Sequence, residues 1–406
     1  MRLILAFYFL ATLIHAEPPR FRTDADGPVT GQDGEKSKAK SGIPEWYQLV
    51  DGQFPPPGSA HAISGELIKV DHLERQFLLR VDRNDNQQAG FQDLPLDSVM
   101  LPYGAIYYRG APAALQDIPL GTHLHGLYYL KAPGSKSAPP PTGYGRVTAE
   151  AAFKRCLQLE DDFSHRTRQE QIWKIDAVNL AEKKLTATLQ QNGVVTGKPA
   201  VFDLLASTLV FQGNSFAKLD AIAVGQTVQF NLTWATLYGP GRITDIWLDE
   251  PSRRLAIDQQ LERHRLHTRE RGLPGWVTDV DDEKQIVTLT FFGGVDPKLF
   301  GEMKDINEKP QGWPFSVPED DPKAPKGGIA VARECLMPYD PVNDRKGGNI
   351  LHIDTVPVEP GGSGVQIKVK CGIMLEGYRP CRIVRFYPAN WEVIALPREE
   401  LFEGRE

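Results

Sequence analysis

The sequence is short of the features that most quickly give a function away. It has four cysteines and five methionines in 406 residues. No two cysteines stand in a CxxC spacing, which argues against a zinc ribbon or a thioredoxin-like redox site. There is no G-x-S-x-G, no H-E-x-x-H, no P-loop and no G-x-G-x-x-G after a strand, so the common hydrolase, metalloprotease and nucleotide-binding signatures are missing. The 46 basic and 52 acidic residues leave a net charge of -6, and no Lys or Arg run forms a nucleic-acid patch. After the first residues no apolar run approaches the ~20 residues of a spanning helix. We therefore expect no nucleic-acid partner and no integral membrane segment in the mature chain.

The one long apolar run is at the start, MRLILAFYFLATLIHAEPPR. Arg2, the stretch Leu3 to Ile14 and the small Ala16 before EPPR read as a secretory signal peptide over residues 1–16, cut after Ala16. The mature protein is then expected to be secreted or periplasmic. In an oxidising compartment Cys371 and Cys381, which enclose GIMLEGYRP, are candidates for a disulfide, with buried free thiols the equal alternative. Residues 17–59 are rich in Pro, Gly and charge and read as a flexible segment. Its one apolar island, IPEWYQLV, offers Trp46 and Tyr47 for docking on the folded body.

From there a pattern recurs three times. GELIKVD (Gly65 to Asp71), QIWKID (Gln171 to Asp176) and GWVTDVD (Gly275 to Asp281) each lead into a turn and a second alternating strand: FLLRV, LTATL and IVTLTFF. Such period-two patterns bounded by turn residues are strand signals. A closing element follows. LQDIPLGTHLHGLYYL in the first copy matches LDAIAVGQTVQFNLTW in the second, placing Gly121 on Gly225, and IDTVPVEPGGSGVQIKV is its looser form in the third. Two joining segments read as helices: residues 148–170, with Phe153, Cys156, Leu157 and Phe163 near one face, and residues 251–272, with Leu255, Ile257 and Leu261 near one face and Gly272 and Pro274 as the stop.

The expected architecture is mainly β: three tandem OB-like five-stranded barrels over residues 60–135, 171–250 and 273–400, two helical connectors and a flexible N-terminal segment. The third barrel carries a long insertion, residues 293–328, which at that length is functional or disordered. The second copy resembles the small periplasmic copper chaperones of OB-like fold, on IWKIDAVNLAEKKLTATL and LDAIAVGQTVQFNLTW. That resemblance implies a copper-holding His, Met and Trp set, which does not carry over. The second copy has neither Met nor His between Ile172 and Trp234, and the first has His72 and Met100 but no Trp between Ile63 and Leu130. The plan of the whole chain also resembles exported proteins of planctomycete-like bacteria, a likeness that implies no particular activity.

Few residues suggest chemistry. A strand puts residues two apart on one face, so His123 and His125 could share a metal ion, with His264 and His267 as further ligands. The simpler reading is a strand with Leu124 inward and polar residues outward, because Thr227, Val228 and Gln229 stand at the matching places. Asp93 with Asp97, Glu160 to Asp162, and Asp279 to Glu283 could supply paired carboxylates, but read better as turns and a solvated helix face. Tyr107, Tyr108 and Arg109, with Trp313 and Phe315 of the insertion, are candidate ligand-binding side chains on a barrel face and its loops. Together these point to an exported non-catalytic binding or scaffold protein of the cell envelope, for a polysaccharide or a protein partner, with no cofactor expected. The alternatives are a periplasmic protein binding a divalent metal and an unrecognised hydrolase.

Overall fold

The computed structural model describes residues 47–82, 96–129, 155–233, 241–303, 328–331, 346–371 and 378–391, so the signal-peptide stretch, Trp46, Asp93, Trp313 and Phe315 lie outside the described residues. The chain is mainly β. Barrel 1 comprises β1 (His61–Asp71), β2 (Gln76–Val81), β3 (Leu96–Tyr108), the short β4 (Ala111–Pro112), β5 (His123–Tyr129) and β6 (Arg155–Asp161). Five of these close into a ring, β1-β2-β3-β6-β5, in which only the β3–β6 contact is parallel. Barrel 2 repeats the plan with β7 (Gln171–Asn179), β8 (Lys184–Gln191), β9 (Val194–Val195), β10 (Ala200–Gln212), β11 (Ser215–Ala217), β12 (Thr227–Thr233) and β13 (Arg242–Trp247). Its ring is β7-β8-β10-β13-β12, again with one parallel pair, β10–β13. The alternation seen in the sequence sends Leu67, Leu79, Leu124 and Leu159 into one core and Ile175, Leu185, Val228 and Ile246 into the other.

Barrel 3 departs from the five-stranded expectation. Its strands β14 (Leu273–Asp281), β15 (Ile286–Phe292), β16 (Gly328–Val331), β17 (Lys346–Thr355), β18 (Gly362–Cys371) and β19 (Ile383–Tyr387) form a six-membered, wholly antiparallel ring, β14-β15-β18-β17-β16-β19. The stretch IDTVPVEPGGSGVQIKV, expected to be the closing element, is the β17–β18 hairpin. The closing strand is β19, which pairs with β14 as β5 does with β1 and β12 with β7.

The three copies agree in backbone detail. Each first hairpin has its register shift at the same place, Leu67/Lys69, Ile175/Ala177 and Val277/Asp279. Each turn ends on a residue of positive φ: Arg75, Lys183 and Gln285. At each bulge the first strand exchanges two backbone hydrogen bonds with the turn before the closing strand. Gly121 donates to Leu67, Gly225 to Ile175 and Cys381 to Val277, and φ at these three is 88, 88 and 71. A cysteine in the left-handed conformation thus stands where the other copies have glycine.

Two connectors join the barrels. Among the described residues of the helix expected over 148–170, Arg155–Asp161 is instead β6, and α1 (Asp162–Arg168) is the helical part. The strand is wedged between β3 and β5 and covered on its outer side, so apolar residues fall on both faces and imitate a helical period. The second connector is α2 (Glu250–Arg271), ending at Gly272 as expected. Leu255, Ile257 and Leu261 do not form its buried stripe; Ser252, Ala256, Gln260, His264 and Thr268 do. Both helices start from the same cap, with Asp161 accepting from Ser164 N–H and Asp249 from Ser252 N–H, a side-chain cap that satisfies a first-turn donor.

The described part of the insertion is folded. Gly293 donates to the Gly361 carbonyl, and the single-turn α3 (Pro297–Phe300) packs Leu299 into the barrel 3 core. Residues 47–60 are not a free tail but a strap over the seam of barrels 1 and 3. Phe54 lies 4.6 Å from Trp276 and 5.5 Å from Tyr103, and Tyr47 lies 6.0 Å from Tyr129, between ring centroids. Cys371 and Cys381 are free thiols, correcting the disulfide expectation. The first is buried in the barrel 3 core and the second is exposed beside the Asp51 carbonyl, so their sulfurs face different environments.

The left-handed turns make a test. Around Gly225 the space that a side-chain methyl would take is open, with no atom within 4 Å, so Gly225→Ala loads only the backbone. We expect about 1 kcal/mol of lost stability, read from urea unfolding of the full chain.

Candidate functional site

β5 carries His123 and His125 on its outer face and Leu124 in the core, in line with the strand reading, but the histidines do not face solvent. They are 4% and 8% exposed, because α1 and barrel 2 cover them. Asp162, the first residue of α1, receives both imidazoles on one oxygen. His123 Nδ1 and His125 Nε2 each lie 2.9 Å from Asp162 Oδ1, while Leu232 N–H donates to Oδ2 at 3.0 Å. The other ring nitrogen of His123 meets Asp82 Oδ2 at 2.8 Å. Burial alone would push the His123 imidazole down, but the Asp82 and Asp162 carboxylates outweigh it and hold it well above its ordinary value. His125 goes the other way, to about 3, through burial. Asp162 stays far below the usual carboxylate range: burial opposes this, and the His123 charge and both imidazole hydrogen bonds prevail.

Around this core the acidic run Glu160 to Asp162, expected to be a solvated helix face, is buried throughout. Asp161 caps α1 and also accepts from Arg109 N–H at 2.9 Å and Asn231 Nδ2 at 2.8 Å. Burial raises its carboxyl to about 6. Asn231 Oδ1 in turn accepts from Phe163 N–H at 2.9 Å, so one amide stitches β12 to α1. Glu160 accepts from Arg168 at 2.6 and 2.8 Å and from His165 at 3.1 Å. The His165 ring stacks on His125 with centroids 3.9 Å apart. No motif marks Asp82 or Asp162 as partners of the histidines; the D-x-x-S cap at Asp161 and Ser164 is the signal that locates the start of α1.

The expected aromatic platform is part of the same joint. Tyr108 is buried in the barrel 1 core and Tyr107 is half-buried. Arg109 lies over the Tyr108 and Trp247 rings at 5.0 and 5.5 Å and pairs with Asp245 at 3.4 Å. Of the three, Arg109 is the one that links barrel 1 to barrel 2, through Trp247 and Asp245.

His264 and His267 do not join the β5 histidines. They line a second feature, a cleft of about 220 Å³ bounded by barrel 1, α2 and barrel 3. Arg75, Arg271 and Arg385 line it too, and among the described residues no Asp or Glu does. Arg75 is braced by the carbonyls of Pro102 and Gly104, 3.0 Å each. His267 Nδ1 lies 3.3 Å from Gln116 Nε2, and its imidazole is driven to about 3 by burial and by Arg271 and Arg385. His264 Nε2 accepts from Asp296 N–H at 3.2 Å, and burial lowers it to about 4 against the pull of Asp296 and Asp117. Both rings are therefore neutral near pH 7, and the charge of the cleft comes from its arginines.

No family model matches the chain, and no curated protein matches it. Among solved structures it is similar to silver-bound CusF from Escherichia coli, at 16% identity over 20% of this chain and 90% of that one, with TM-score 0.15. A second crystal structure, of Ag(I)CusF, gives 17% identity over 20% and 95%, also with TM-score 0.15. The copper set implied by the chaperone resemblance does not fit these residues. Met100 is in the barrel 1 core and His72 is exposed at a turn.

Asn231→Ala should strip a buried carboxylate and a buried N–H of their partner and cost about 2–3 kcal/mol, measured by urea unfolding. His264 yields a pH test. Its folded-state value lies below the ordinary 6.5, so the unfolded chain binds more protons between about pH 4 and 6.5. Its contribution is complete above pH 6.5 and is lost as pH falls toward 4. The loss of stability between pH 7 and 5 should be smaller in His264→Gln than in the wild type; equal losses would reject the assignment.

Proposed function

We propose that the protein is an exported, non-catalytic binding protein of the cell envelope that seats an acidic polysaccharide in the cleft between barrels 1 and 3. The observation that carries this is the lining: three arginines, from the β1–β2 turn, the end of α2 (where Arg271 also pairs with Glu270 at 2.8 Å) and β19, with no carboxylate among the described lining residues. Guanidinium forks suit carboxylate and sulfate groups because they donate two parallel hydrogen bonds to a planar acceptor. A volume of about 220 Å³ suits one anionic sugar unit with the chain continuing outside. His267 and Gln116 add neutral hydrogen-bonding groups for hydroxyls. Export is supported by the N-terminal pattern of Arg2, the apolar run and Ala16.

The frame also supports binding. Arg271 ends a long helix and Arg385 stands on a barrel strand, and side chains on such elements are held better than side chains on loops. Calorimetry of the full chain with oligogalacturonides, and with neutral gluco-oligosaccharides of equal length, tests the reading. We expect binding of the acidic series alone, weakened about 10-fold or more by Arg271→Ala or Arg385→Ala and by raised salt. Equal affinity for the neutral series, or an unaltered affinity in the double variant, would sink it.

A further inference from the structure

The joint between barrels 1 and 2 has the makings of a metal centre, which the cleft reading does not require. We propose that His123, His125 and Asp162 hold one divalent ion of the zinc class, tying the closing strand of barrel 1 to the helix that leads into barrel 2. Four features of the joint support this, each independent of any titration.

The first is spacing. One ligand atom from each of the three residues lies within 4.8 Å of the other two, and both imidazole nitrogens stand 2.9 Å from Asp162 Oδ1. Bonds of about 2.0–2.1 Å at tetrahedral angles separate ligand atoms by about 3.3 Å, so small rotations of the rings open the triangle around an ion. The second is the outer support. His123 Nε2 lies 2.8 Å from Asp82 Oδ2, the carboxylate–histidine arrangement that fixes the ring and tautomer of a metal ligand. Asp162 is aimed in the same way, since Leu232 N–H occupies its Oδ2 and leaves Oδ1 toward the imidazoles.

The third is charge. Two neutral imidazoles with the carboxylates of Asp82 and Asp162 carry a charge of minus two, which a divalent ion cancels in a site too buried to leave it uncompensated. The ion displaces the proton on His123 Nδ1, which leaves to solvent, and the proton on His125 Nε2, which moves to Nδ1 of the same ring, so both imidazoles are neutral and the Asp82 hydrogen bond is kept. The fourth is access. The three ligands are buried, whereas the Asp82 side chain is 24% exposed, so its side of the site adjoins solvent. Two His and one Asp with one further position suit zinc better than the soft, sulfur-preferring cuprous ion.

The experiment is a titration of the chelator-stripped full chain with zinc and, separately, cobalt(II). We expect one ion per chain, the visible absorption of four-coordinate cobalt, and a thermal midpoint that rises with zinc concentration. Asp82→Asn should weaken zinc 10- to 100-fold, and the His264→Gln, His267→Gln double variant should bind as the wild type does. His125→Gln should lose the ion. Because that variant could fail to fold, imidazole NMR of the wild type serves beside it, with zinc-dependent shifts expected at His123, His125 and the stacked His165. An absence of stoichiometric uptake by the wild type, shifts confined to His264 and His267, or full uptake by folded His125→Gln would each overturn the assignment.

Discussion

Two adjacent carboxylates buried at the start of a seven-residue helix set the terms for the rest of this molecule. A charge taken out of water is costly unless it is paired and hydrogen-bonded, and neither barrel alone satisfies Asp161 and Asp162. Asp161 takes donors from Arg109, Ser164 and Asn231. Asp162 takes them from His123, His125 and Leu232. Donors from β5 and the end of β3 meet donors from β12 around a helix that belongs to the connection itself. The relative position of barrels 1 and 2 is thereby fixed by hydrogen-bond geometry, and apolar packing of Phe163, Trp247 and Ala256 fills in around it.

The legible part of the fold is the part controlled by backbone rules. The hairpins declare themselves by alternation, and Gly121 and Gly225 mark the turn before the closing strand because that turn needs φ near 88. The third instance is hidden. Cys381 holds the same left-handed conformation without being glycine, and the neighbouring Gly-rich β17–β18 hairpin offers a better match on composition than the true closing strand. β6 escapes detection for another reason. A strand buried on both faces loses its period of two, and nothing short of its neighbours restores the distinction.

The candidate sites are less legible, because their residues converge from separate places. His123 and His125 stand out as a pair, but their partners Asp82 and Asp162 lie 41 and 39 residues from His123. The outward face of a strand looks like a solvent face until the second barrel is laid on it. The same applies to Tyr108 and Arg109, which suggest a surface together: the ring fills the barrel 1 core and the guanidinium serves the joint. In the cleft, His264 and His267 are conspicuous as histidines, whereas the arginines that give the space its character are scattered over three elements and carry no motif.

The strap from Tyr47 to Ala60 has a bearing on how the chain acquires its structure. Phe54 precedes all three barrels in the sequence, yet the rings it rests on include Trp276 and Phe292 of the third. Closing so wide a loop carries an entropic cost that must be met before the contact contributes anything. The strap therefore waits for the third barrel, and the aromatic seam records the meeting of segments more than 200 residues apart, Phe54 with Trp276 and Phe292.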